Sequence, residues 1–195
     1  MAYADSIEHS YDSIKEAMRN LQPLEDAFFT TEGIDPTSGE RKQIRVPKFL
    51  FRGEGGEWGT TISAMERVRR YEDPVFSKIP RSSWKAFYET INEIVKRADA
   101  EMQSLLNLSP MQSSGLLQHY ELPTEFIDFT SKLTTAVGFA VHKSQEWTQA
   151  KTITVGVLDV ERASKNAVIT DFAPVIEIAP RPERQNGFGL FSNYH

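Results

Sequence analysis

The feature that most constrains this chain is a change of hydrophobic period along it. Residues 82–107 carry Trp84, Phe87, Tyr88, Ile91, Ile94, Ala98, Met102, Leu105 and Leu106 at helical spacing, opposite Lys85, Glu89, Glu93, Lys96 and Glu101. That is the stripe of a long amphipathic helix, with Ser82 or Ser83 as its N-cap and the aromatic stripe as core. Residues 152–160, TITVGVLDV, instead alternate, with Ile153, Val155 and Val157 on one face and Thr154, Gly156 and Leu158 on the other. That is a strand. Shorter strands are expected at 49–51, 125–129, 167–170 and 175–178. Helical patterns dominate the first two-thirds of the chain and strands the last third. Segregation of this kind implies an α+β fold, a helical N-terminal half packed on a mainly antiparallel β-sheet, rather than a doubly wound one.

The helical extension starts early. Ile7, Tyr11, Ile14, Met18 and Leu21 put one apolar face on a helix over 5–22, capped by Asp5 or Ser6 and limited by Pro23. Residues 30–43, TTEGIDPTSGERKQ, read as a loop, because glycine, proline and polar residues cluster there without period. This gives residues 1–45 as a helical extension and loop, and 46–195 as the main part of one domain. A short helix over 61–71, capped by Thr61 or Ser63, carries Arg67, Arg69 and Arg70, the densest basic group in the chain.

Composition removes several chemistries. There is no cysteine, so disulfides, thiolate catalysis and cysteine-bound zinc are excluded. The four histidines lack ligand spacing, so no metal is expected. A net charge of -5 argues against a wholesale nucleic-acid binder. Neither a signal peptide nor a membrane-length apolar run is visible, so the expectation is a cytoplasmic protein without a membrane partner.

Reactive side chains concentrate in residues 116–140. Gln118, His119, Tyr120, Asp128, Thr130 and Ser131 stand among residues that favour burial, and buried polar groups need partners. A helix over 111–121 ends at Pro123, a strand follows, and Thr130 or Ser131 begins the next helix. Strand, hydroxyl pair and helix start together offer N–H groups to an anion, or the same residues serve only as caps. Arg52 closes the apolar run Phe49-Leu50-Phe51. Its planar fork suits phosphate or carboxylate in a cleft, or else binds loop carbonyls. Gly53 lets the chain turn and lets a ligand approach the backbone. The glycines after it match neither a Walker A nor a Rossmann spacing. Near the end, Arg181 lies between two prolines, and Gln185 and Gly187 precede a final strand or an irregular tail.

Phe51-Arg52-Gly53 resembles the signature of the FRG domain, a family of bacteria and their phages. Gln118, His119, Tyr120, Leu122, Pro123, Thr124, Asp128, Thr130, Ala136, Phe139 and Ala140 are similar to that family's central stretch, and Arg181 with Gln185-Asn186-Gly187 to its closing one. Glu121 stands where the family usually has glycine, Glu125 where it often has arginine, and Phe129 where it has tryptophan. More distantly, the layout resembles ADP-ribosyltransferase folds, with their split sheet. Arg52, Thr130-Ser131 and Gln185 fill the places of the arginine, the hydroxyl pair and the late acidic residue. The resemblance implies an NAD-using enzyme, a toxin or a factor in phage–host conflict, with NAD as substrate and no metal. His119, Asp128 and Gln185 would be catalytic. Arg52, Gly53, Gln118, Tyr120, Thr130, Ser131 and Arg181 would bind substrate. Gln185 can bond a ribose hydroxyl but cannot stabilise an oxocarbenium ion as a carboxylate does, a charge that Asp128 or Glu183 would have to supply. The other reading is a non-catalytic module that holds a nucleotide-like small molecule or a macromolecular target.

Overall fold

One residue, Lys48, separates a strand ending at Pro47 from a strand beginning at Phe49, and those two strands lie far apart in one sheet. A computed structural model describes residues 9–35, 38–55, 62–72, 76, 78–120, 122–143, 152–171 and 187–192. Its helices are α1 (Ile14–Leu21), α2 (Ala64–Arg70), α3 (Trp84–Leu106), α4 (Pro110–His119), α5 (Leu133–Lys143) and the short α6 (Val160–Ala163). Its strands are β1 (Phe28–Ile34), β2 (Arg41–Pro47), β3 (Phe49–Glu54), β4 (Phe126–Thr130), β5 (Thr154–Asp159), β6 (Ala167–Asp171) and β7 (Gly187–Ser192). They form a seven-stranded sheet in the order β2-β1-β6-β7-β4-β3-β5. All pairings are antiparallel except β1 with β6, which meet in parallel at Gly33 and Ile169.

A one-residue link between strands so far apart in the order requires the sheet to curl. The inner face of the curl is filled by Val46, Leu50, Ile127, Phe129, Ile169, Phe188 and Leu190, with Val160 and Ala163 of α6 against them. Lys48 stitches the closure, its N–H donating to Ala27 O and its carbonyl accepting from Val160 N. The outer face holds Phe51, packed on Leu133 and Ala136 of α5 and on Met18 and Leu21 of α1. Alternation along β3 thus sends Leu50 inward and Phe51 outward, and buries both.

The α+β class and the mainly antiparallel sheet are present. The helical N-terminal half is not: three strands, β1 to β3, lie within the first 54 residues. The loop expected over 30–43 is the β1–β2 hairpin, turned at Gly39 with a φ of 73°. Its sequence hides it because β2 exposes Arg41, Lys42 and Gln43 and buries only Val46 and Pro47 at its end. Arg41–Glu32 and Lys42–Asp35 pair charges across the hairpin instead. The described strands form one sheet, where the resemblance left a split one open, though β3 and β4 share a single register pair, Phe51 with Thr130.

Helix α1 begins at Ile14, not near residue 5, because the Ser13 hydroxyl accepts the Glu16 N–H and fixes the start there. Ile7 and the caps Asp5 and Ser6 lie outside the described residues, as does the strand expected over 175–178. The stripe on α3 is core only at its start. Trp84 is buried, while Ile94, Leu105 and Leu106 are exposed. The helix packs on the short helices α2 and α4, which cover one side of it and leave Ile94, Leu105 and Leu106 in solvent. Among the described residues no helix is long and apolar enough to cross a membrane.

Candidate functional site

Arg52 and Glu54 are two apart on β3, so both side chains share the inner face with Leu50. The Arg52 Nε donates to Glu54 Oε1 at 2.8 Å, with both side chains about 15% exposed. Its Nη1 donates to the backbone carbonyl of Asp128 at 2.9 Å. All of Phe49–Glu54 pairs with β5, whereas β4 pairs only at Phe51. Beyond that pair β3 departs from β4, and the Arg52 guanidinium bridges the seam that opens. Asp128 contributes its carbonyl there. Ile127 and Phe129 face inward, so alternation turns the exposed Asp128 side chain to the outer face, with Thr130. The structure therefore joins Arg52 to the backbone of Asp128 and sets their side chains on opposite faces.

Gly53 is buried against α5. A Cβ there would lie 1.7 Å from the carbonyl oxygen of Ala136 and 2.9 Å from the Ala140 nitrogen. The glycine lets the helix backbone touch the strand, and that helix takes the space a ligand was expected to use. The start of α5 is occupied as well. Thr130 Oγ1 accepts the Lys132 N–H at 3.1 Å, and Glu25 Oε1 accepts the Leu133 N–H at 2.5 Å. A carboxylate of the chain itself holds the position offered to an anion. Ser131 stands half-buried beside it.

Gln118 is bonded at both ends of its amide. Its Oε1 accepts from Thr124 Oγ1 at 2.7 Å and its Nε2 donates to Phe126 O at 3.4 Å. Thr124 Oγ1 also accepts the Phe126 N–H at 3.4 Å. The Thr124 carbonyl accepts the Met65 N–H, and Ser63 Oγ donates to Glu125 while capping α2. One turn at 123–125 thus knits α4, β4 and α2 together.

A family model of the FRG domain matches residues 47–149. The chain belongs to the FRG domain family. No curated protein and no solved structure matches it.

The matched part of this FRG domain runs from the end of β2 past α5 and so contains both sides of the seam. The remaining strands complete the sheet around it: β1 and β2 from before the match, β5, β6 and β7 from after it. Two of the family-like positions have visible framework work. Gly53 seats α5, and Gln118 ties α4 to β4. Glu125, where the family often has arginine, accepts from Ser63 at the start of α2. Tyr120 is 66% exposed at the end of α4, and His119 is the last residue of that helix. Gln185, Arg181 and Glu183 lie outside the described residues.

Two carboxylates escaped the sequence reading. Glu54 was legible in principle, since a strand ending Phe-Arg-Gly-Glu puts Arg52 and Glu54 on one side. Glu25 was not, because the helix it caps begins 108 residues later. Among the described residues no group of three or more His, Asp or Glu is placed to hold a metal ion.

Proposed function

We propose that this FRG domain is an ADP-ribosyltransferase-like enzyme that uses NAD at the seam between β3 and β4. The observation that carries the reading is the Arg52–Glu54 pair, a guanidinium and a carboxylate, both largely shielded, at the place where two strands part. A dinucleotide's diphosphate competes with Glu54 for the guanidinium fork. Drawn to the diphosphate, Arg52 releases the Glu54 carboxylate beside the nicotinamide ribose. That carboxylate supplies the negative charge that Gln185 cannot.

Cleavage then breaks the bond between the ribose C1′ and the nicotinamide nitrogen. The electron pair leaves with neutral nicotinamide, and an oxocarbenium-like centre develops at C1′. Glu54 stabilises it. Water adds its oxygen to C1′ and gives a proton to Glu54 and then to solvent, leaving ADP-ribose. In a transfer, a nucleophile of a target molecule takes the place of water. Irreversible loss of NAD, or modification of a target, is the chemistry of a toxin or of a factor in phage–host conflict.

The test is incubation of the purified protein with NAD, with chromatographic detection of free nicotinamide and ADP-ribose. Release that disappears in Arg52→Ala and in Glu54→Gln supports the reading. NAD binding without release moves the assignment to the non-catalytic nucleotide-binding module. Release that persists in both variants places the chemistry elsewhere.

A further inference from the structure

A second basic site lies outside the seam. Between α2 and the start of α3 is a concavity of about 350 Å³ whose walls carry the four cations Arg69, Arg70, Arg81 and Lys85 around Tyr71, Trp84 and Tyr88. It shares no residue with the seam. Its volume falls in the range of small-molecule sites. In a chain of net charge -5, such a gathering is a local reversal of sign.

Among the described residues the cations outnumber the carboxylates that meet them. Glu66 receives both Arg69 and Arg70 and is itself 14% exposed, so one inner carboxylate orients two guanidiniums. Arg70 donates its Nε at 2.5 Å, and its terminal nitrogens have no acceptor among the described residues. Lys85 reaches Glu89 only at 4.0 Å, with its own side chain 90% exposed. Arg81 rests over the Tyr71 ring at 5.6 Å, with no carboxylate partner among the described residues. No acidic residue stands in the first turn of α3 to offset its positive end.

The floor is fixed rather than plastic. Tyr71 ends α2 in the left-handed region, φ 63° and ψ 34°, which a bulky side chain seldom adopts. Its hydroxyl donates to Ile79 O at 2.9 Å, and its ring meets Trp84 edge-on at 4.4 Å. Trp84 in turn donates its indole N–H to Val68 O. Three tethers therefore hold the aromatic floor beneath the guanidiniums, and strain of this kind persists where surrounding structure enforces it.

We infer that this concavity binds a nucleoside di- or triphosphate. Guanidiniums oriented by Glu66 and Tyr71, with an ammonium beside them, match the oxygens of a polyphosphate, and the half-buried Tyr88 ring gives a base an apolar surface. A long polyanionic strand is disfavoured by the acidic character of the rest of the chain, which repels it beyond the patch.

Calorimetric titration of the full chain with ATP, inorganic triphosphate, adenosine and a single-stranded oligonucleotide tests this, in the wild type and in Arg81→Ala/Lys85→Ala. Lys85→Glu, at an exposed position, is the second variant should the double one unfold. ATP is expected to bind, and either variant to weaken it about tenfold or more, the loss of one or two charge-assisted contacts. Absence of ATP binding, or binding unaffected in both variants, overturns the site. Loss only in Arg52→Ala assigns the nucleotide to the seam instead. Triphosphate binding as well as ATP overturns the nucleoside, and tighter binding of the oligonucleotide overturns the small ligand.

Discussion

The carboxylate of Glu25 accepts the backbone N–H of Leu133, joining a 3-10 turn after α1 to the first turn of a helix 108 residues later. A charged acceptor on an otherwise orphan amide at a helix start is worth about 1–2 kcal/mol. Glu25→Ala should lower stability by that amount, and Glu25→Gln, which keeps an acceptor, by less. Urea unfolding followed by circular dichroism gives both values. Equal losses in the two variants would mean that packing, not the cap, holds this contact.

Gly53 admits no side chain. The atoms that a Cβ would strike are the carbonyl of Ala136 and the amide nitrogen of Ala140, and helix backbone cannot swing aside as a flexible side chain does. Gly53→Ala should therefore destabilise the domain by about 3 kcal/mol or more, the range of severe overpacking. Its urea midpoint is the readout. Gly138→Ala is the control, because nothing lies within 4 Å of the Cβ it would add; that change should be neutral or slightly stabilising.

Gln118 and Thr124 act as one unit. Removing either leaves a buried partner unsatisfied, at a cost of about 1–3 kcal/mol. Gln118→Ala and Thr124→Val should each destabilise, and the double variant should cost clearly less than their sum. A double-mutant cycle from denaturation midpoints measures the coupling. Simple additivity would show that the bond between them contributes nothing.

Arg52 has a framework share as well as its proposed chemistry, and the two can be separated. Arg52→Ala strands the Glu54 carboxylate and the Asp128 carbonyl, and should cost about 1–3 kcal/mol. Arg52→Ala/Glu54→Ala should recover part of that stability, because no shielded charge is left alone. Nicotinamide release should stay absent in both. Thermal melts alongside the release assay decide it: recovered activity in the double variant would mean that the arginine serves folding only.

The elements whose hydrophobic period is clean were readable from the sequence: α3, β5 and the β4-to-α5 turn all fall close to where periodicity puts them. The β1–β2 hairpin was not, because Arg41, Lys42 and Gln43 face water and erase the alternation that announces a strand. Gly53 looked like a ligand position, since glycine marks close approach of something; only the fold tells that the thing approaching is α5. Gln118 was legible as a polar residue in an apolar stretch, and its bond to the buried Thr124 is the partner that such a position demands. The Arg52–Glu54 pair needed only strand alternation, whereas the bond from Arg52 to Asp128 O spans 76 residues and has no local signature.

Strand β7 lies between β6 and β4, so among the described residues its hydrogen bonds connect the β2-β1-β6 part of the sheet to the β4-β3-β5 part. Until β7 pairs, the facing edges of β6 and β4 have no strand between them. The seven-stranded sheet is not continuous until residues 187–192 pair with both β6 and β4. Such late, long-range pairing slows folding and leaves two open strand edges in the interim. Completion of the sheet thus waits on β7, the strand that pairs with both parts.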